Sequence, residues 1–154
     1  MMKSMYRTGL IMISAALLAL GTVNAQADGS KAGNGYTRQK VVYHVNDLEH
    51  AKAALRNIKN HLNAVGDNNI DLIVVTHSGG AFMLVDGSKD KKGNTFTDDI
   101  AALANRGVKF DICANTIRGK KIDKNKINQY AKVVPSGVAE IAKLEQEGYV
   151  YVKP

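Results

Sequence analysis

The chain has one cysteine, Cys113, and its neighbours make it the sharpest chemical feature of the sequence. It closes the run VKFDIC and precedes ANTIRGKK, so an apolar stretch delivers a thiol to the start of a polar, basic one. If the chain turns into a helix after Ala114, unpaired N–H groups face the sulfur and favour the thiolate. The thiolate is the form that attacks sulfane sulfur or a disulfide. Asn115 and Thr116 stand beside it, and Arg118, Lys120 and Lys121 add positive potential just beyond. A second role fits the same position: a small buried hydrophobe at the end of a strand. A lone cysteine has no resolving partner in the chain, which excludes CxxC-type disulfide exchange. A persulfide carrier needs only one.

Other residues carry weaker signals. His77-Ser78-Gly79-Gly80 follows an apolar run. Its glycines let backbone N–H groups approach an anion, or serve a tight turn between strand and helix. His77 fits an acid or base, a cation that lowers the Cys113 pKa, or a hydrogen-bonded structural group. The motif is not G-x-S-x-G, so a hydrolase nucleophile elbow has no support. His44 reads as a core or interface residue. His50 and His61 lie on one expected helix, about 16 Å apart by the helical rise, too far for one metal ion. With one Cys and no H-x-x-x-H pair, no metal site is expected. No Walker or Rossmann glycine pattern appears, and no cofactor is expected. Asp98 and Asp99 suit the start of a helix by charge alone. Residues 118–126 (RGKKIDKNK) steer anions or form a solvated basic loop.

Composition narrows the class. The 154 residues suit one domain, with 45% hydrophobic and 23% charged residues, near globular averages. Absent Trp and 6% aromatics argue against a stacking platform for nucleic acid. Residues 1–25 read as a secretory signal peptide. Lys3 and Arg7 precede an apolar core shorter than the roughly 20 residues a span needs, and Val23 and Ala25 flank Asn24 at the cleavage site. A retained anchor is the alternative. Removal takes away two cations and no acid, so the +7 charge falls to +5. Such a surface favours anionic small molecules or acidic partners over nucleic acid. Export to a bacterial periplasm is expected, with no membrane attachment after cleavage.

The elements that must position these groups alternate. Residues 26–39 are polar and Gly-rich and read as a flexible leader. Strands are expected at 40–46, 70–76, 108–113, 131–134 and 149–152. Helices are expected at 46–65, 98–105, 123–130 and 136–147. In the first helix, Leu48, Ala51, Leu55, Ile58, Leu62 and Val65 form one apolar stripe. Asn46 with Glu49 fits a capping box, and Gly66 suits the stop. Thr95 or Thr97, Asp123 and Ser136 are the expected caps of the later helices. Residues 86–94 read as a charged surface loop. Such alternation implies βαβ units and a mainly parallel sheet of about five strands. The expected fold is a small three-layer α/β/α, flavodoxin-like domain. Ligands then bind outside the carboxyl ends of the strands, where Asn46, His77–Gly80, Cys113–Thr116 and Pro135–Gly137 sit.

From residue 40 to 154 the chain resembles the DsrE/DsrF-like family of small sulfur-relay proteins. The resemblance rests on VVYHVND, IDLIVVTHSGGAFMLV, IAALANRGVKFDICANTIRGKKID and VVPSGVAEIAKLEQEGYVYVKP, in that order. It implies a flavodoxin-like fold, homo- or hetero-oligomers and, in sulfur-transferring members, a persulfide-carrying cysteine that matches Cys113. Family members best known for this work act in the cytoplasm, whereas this chain reads as exported. The leading expectation is an exported sulfur carrier or sulfurtransferase, with His77, Ser78, Gly79, Gly80, Asn115, Thr116 and Arg118 as its substrate-binding residues. A sulfane-sulfur donor and a protein acceptor would be its partners. One alternative is a non-catalytic oligomeric module that binds a small anion or partner, with Cys113 structural. Another is redox sensing through an unpaired thiol in an oxidising compartment.

Overall fold

The computed structural model describes residues 35–154. The expected signal peptide, and the leader up to residue 34, lie outside the described residues. Five strands form one parallel sheet: β1 (Gln39–Val45), β2 (Ile70–Thr76), β3 (Lys109–Cys113), β4 (Ala131–Val134) and β5 (Val150–Val152). Their spatial order is β4-β3-β2-β1-β5. Four helices connect them: α1 (Ala51–Val65), α2 (Thr97–Ala104), α3 (Ala114–Gly119) and α4 (Gly137–Gln146). The architecture is the flavodoxin-like α/β layering expected from the alternating elements.

The strand order decides which face each helix covers. From β1 to β4 the chain steps in one direction, and right-handed crossovers put α1, α2 and α3 on one face. The step from β4 to β5 reverses across the whole sheet and puts α4 on the other. The packing follows this division. Val41, Tyr43, Val74 and Phe110 pack with Leu55, Ile58 and Leu62 of α1, Ile100 and Leu103 of α2, and Ile117 of α3. Val42, Ile73 and Val75 pack with Ile141 and Leu144 of α4 and with Tyr149. Alternate residues of each strand face opposite layers, which is why β1 and β2 read as nearly continuous apolar runs.

Local chemistry differs from expectation at three places. The first helix is capped by Asp47, not Asn46: its carboxylate accepts the Glu49 N–H at 3.0 Å and starts a 3-10 turn, Leu48–His50, ahead of α1. Glu49 does not close a capping box, because its carboxylate accepts the Lys91 N–H of the 86–94 loop. Neither Thr95 nor Thr97 caps α2; the buried Phe96 holds the N-cap position, and the Thr97 hydroxyl donates to Asp86. The helix expected over 123–130 is only a 3-10 turn, Lys124–Lys126, capped by Asp123. Buried Asn128 ends it, donating its N–H to Leu84 and its side-chain amide to Asp86. Pairing across the chain at Val85 and Ile127 replaces the local turns. The 86–94 loop also folds inward at one residue, Asp90, whose carboxylate accepts the Lys92 and Asn94 N–H groups.

Candidate functional site

Neighbouring strands β3 and β4 send their following helices to opposite faces, α3 to one and α4 to the other. Their carboxyl ends therefore form the topological switch point, where open α/β sheets leave a crevice. Cys113 is the last residue of β3 and pairs in register with Val134 of β4. It is also the N-cap residue of α3. Burial pushes its thiol up, but several donors outweigh that: the N–H groups of Gly137, Thr116 and Asn115 and the Thr116 hydroxyl hold it below the ordinary thiol range. Donors from the starts of two helices thus converge on one sulfur. Only 5% of Cys113 is exposed.

Gly137 makes this convergence possible. A Cβ there would lie 3.2 Å from the Cβ of His77, 3.3 Å from that of Cys113 and 3.3 Å from the Thr76 carbonyl oxygen. Ser136, whose hydroxyl accepts the Ala139 N–H at 3.4 Å, starts α4 at that spot. His77 and Cys113 therefore flank the same backbone position, although they are far apart in the chain.

His77 leads into a tight 3-10 segment, Ser78–Leu84. Ser78 adopts a left-handed backbone with φ +50°, which costs a non-glycine residue about 1 kcal/mol. That conformation aims its N–H at the Thr116 hydroxyl oxygen, 3.0 Å away. Thr116 in turn helps hold the Cys113 thiol below its ordinary range. Gly80 has a different reason to be glycine: a Cβ there would sit 2.2 Å from the Val45 carbonyl oxygen. Its backbone packs on β1. Gly79 lies against Asn46 and Asp47, with ordinary room for a Cβ. Arg118 donates to the Asn115 side-chain carbonyl and lines an open pocket of about 480 Å³ with Ala114, Ile117, Lys124 and Asn128, on the flank of α3 away from the sheet's second face. Cys113, Ser78, Thr116, Asn115 and His77 are thus brought together. Gly80 and Arg118 serve neighbouring contacts.

Two residues, His44 and Tyr151, were missed as members of this site, and Gly137 was expected only as a strand-end position. Gly137 closes the crevice. His44 places its Nε2 2.7 Å from the Nε2 of His77, and Tyr151 places its hydroxyl 2.6 Å from His44 Nδ1. Burial lowers the affinity of both rings for a proton; His77 and Lys153 add to this at His44, and Lys153 at His77. The available signal was positional: both histidines stand at the carboxyl ends of strands that register side by side. His50 and His61 join no such cluster. His61 bonds the Tyr43 hydroxyl and the Gln39 side chain, and His50 lies 3.8 Å from Asp47.

The profile of the DsrE/DsrF-like family matches residues 39–154. The chain belongs to the DsrE/DsrF-like family. Among solved structures it is similar to the protein of unknown function MTH1491 from Methanobacterium thermoautotrophicum, with 29% identity and a TM-score of 0.64. That match covers 75% of this chain and 99% of the other. The ychN protein from E. coli shares the fold, with a TM-score of 0.62 and 18% identity over 75% of this chain and 99% of its own. No curated protein matches. Membership of the DsrE/DsrF-like family points to sulfur-relay-related work. The crevice places the only thiol of the chain where a ligand of this fold would bind.

Proposed function

We propose that this DsrE-like chain carries sulfur as a persulfide on Cys113 and passes it to a partner protein. The observation that supports this reading is the donor set around the sulfur: the N–H groups of Gly137, Asn115 and Thr116 and the Thr116 hydroxyl. Such donors stabilise a thiolate, the form that attacks the sulfur of a donor. With thiosulfate as donor, the Cys113 thiolate attacks the outer sulfur. The new S–S bond forms as the bond to the sulfonate sulfur breaks, and sulfite leaves with the electron pair. An acceptor thiolate then attacks the outer sulfur of the persulfide and restores the Cys113 thiolate. No external oxidant or reductant enters.

The narrow exposure of Cys113 favours small donors and an acceptor that presents its thiol on a flexible segment. Residues 1–25 support export, with a bacterial periplasm as the destination, and membership of the family supports a homo-oligomer as the working state. The same narrow exposure supports the second reading, a binding module in which Cys113 only packs. Intact mass after exposure to polysulfide or thiosulfate separates the two. The persulfide reading expects a reductant-sensitive gain of one sulfur atom that Cys113→Ser loses. No gain with either donor overturns it in favour of the binding module.

A further inference from the structure

A hydrogen-bonded chain runs from the surface to Thr116, in the helix that starts at the thiol, through groups that thiol chemistry alone does not require. Tyr151, 39% exposed on β5, meets His44 at 2.6 Å. His44 meets His77 at 2.7 Å, Nε2 to Nε2. The remaining ring nitrogen of His77 lies 3.0 Å from the Ser78 hydroxyl, and the Ser78 N–H reaches Thr116 at 3.0 Å. Thr116 stands on α3, three residues past Cys113 at its N-cap.

The arrangement limits how many protons the pair can hold. Two Nε2 atoms at 2.7 Å need one proton between them. With both rings neutral, one donates to the other, and the outer nitrogens exchange bonds with the hydroxyls of Tyr151 and Ser78. One added proton also fits, because each hydroxyl accepts as readily as it donates. A second added proton does not fit: two N–H groups would face each other. The surroundings oppose it further. Lys153 is the cation facing both rings, the start of α4 abuts His77 with its positive end, and His50 with Asp47 shares a small pocket with His44. Tyr151 bonds His44, Cys113 flanks His77 across Gly137, and Pro154 lines the same small pocket as His44.

We propose that His44 and His77 are positioning residues for Cys113: the proton they share keeps the His77–Ser78 turn closed on Thr116, and a second added proton parts the rings and releases that turn. The Ser78 backbone, already in the left-handed region, is the strained element that such a release would relax. The pair then couples the reactivity of the thiol to acidification. This rests on Cys113 being the reactive group, but it does not require that the group carry sulfur.

The test is the rate of Cys113 alkylation by iodoacetamide across acid and neutral pH, in the full chain. Ionisation of the thiol alone makes the rate follow the first power of hydroxide concentration. Wild type is expected to fall more steeply than that on the acid side. His44→Gln keeps a hydrogen-bonding partner for His77 that does not titrate, so it should lose the extra steepness. His77→Ala should slow alkylation at neutral pH by about tenfold, one unit of thiol acidity. A first-power profile in wild type, or an unchanged steep profile in His44→Gln, overturns the proposal. If His77→Ala fails to fold, the ring titrations of wild type by NMR decide. Two well-separated steps support a shared proton. Two independent rings near the ordinary value of about 6.5 overturn it. A native thiol that never reacts overturns it as well. Sulfur loading is read separately by mass, so a thiol tuned by the pair that takes up no sulfur would retire the persulfide reading alone.

Discussion

Asp111 and Cys113 stand two residues apart on β3 and face the same layer, yet their acidities move in opposite directions. Both are nearly covered, Asp111 at 4% exposed and Cys113 at 5%. Burial pushes both groups toward the neutral form. At Asp111 burial wins and raises the carboxyl; Lys132, Lys143 and Lys109 pull it back, while Glu140 adds to the rise. At Cys113 burial is outweighed by the N–H groups of Gly137, Thr116 and Asn115 and the Thr116 hydroxyl. Mid-strand N–H groups are spent on the sheet, whereas the carboxyl end of β3 meets two helix starts whose N–H groups have no partner in their own helix. What separates a buried group pushed toward its neutral form from one held below its ordinary range here is position along the strand.

Three changes would break or sharpen this contrast. The largest effect is expected from Gly137→Ala. Its Cβ would press on His77, Cys113 and the Thr76 backbone, none of which is a flexible side-chain tip. A loss of about 1–3 kcal/mol in urea unfolding is expected, together with slower alkylation of the thiol as α4 backs away. A neutral substitution would mean that the Gly137 N–H is not held against the sulfur.

Thr116→Val should act on the thiol more than on the fold. It removes the hydroxyl that helps lower the pKa of the thiol and accepts the Ser78 N–H, while keeping the side-chain volume. Alkylation at neutral pH is expected to slow by about tenfold, with its pH midpoint moving up by about one unit. An unmoved midpoint would assign the lowered acidity to the backbone donors alone.

Asp111→Asn should be the mildest change and should show only in the pH dependence of stability. A carboxyl raised in the folded state binds its proton more tightly there than in the unfolded chain. Its contribution is therefore greatest at and below the ordinary carboxylate value of about 3.9, and shrinks as pH rises through the raised folded value. The Asn variant is expected to gain on wild type by about 1 kcal/mol between roughly pH 4 and pH 8, read from urea midpoints. A parallel pair of stability curves would show that Asp111 is already well paired.

Much of the scaffold was legible in the residues themselves. β2 and β4 begin and end where their apolar runs do, α1 follows its stripe from Ala51 to Val65, and Ser136 caps α4. Gly66 and Gly107, with φ of +88° and +91°, stop α1 and follow α2 as the turn chemistry requires. The thiol at the end of β3 was legible for the same reason, since an apolar run that stops at a polar one marks a strand end. Within the site, Cys113, Asn115, Thr116, His77 and Ser78 were named from the loops that follow strands. His44 and Tyr151 were not, because each reads as an ordinary strand residue.

By itself, then, the sequence determined the alternation of strand and helix, the parallel sheet and a cysteine at its carboxyl edge. All three follow from interactions within a few residues: hydrophobic period, caps and turn geometry. Only the tertiary structure decided that α3 and α4 start on opposite sides of Cys113, that Gly137 seats between it and His77, and that residues 44, 77 and 151 meet in one hydrogen-bonded row. It also decided that residues 123–130 would pair with the segment around Val85 instead of coiling into a helix. Those outcomes depend on the order of strands across the sheet, and that order is set by contacts between residues far apart in the chain, where no local period carries the information.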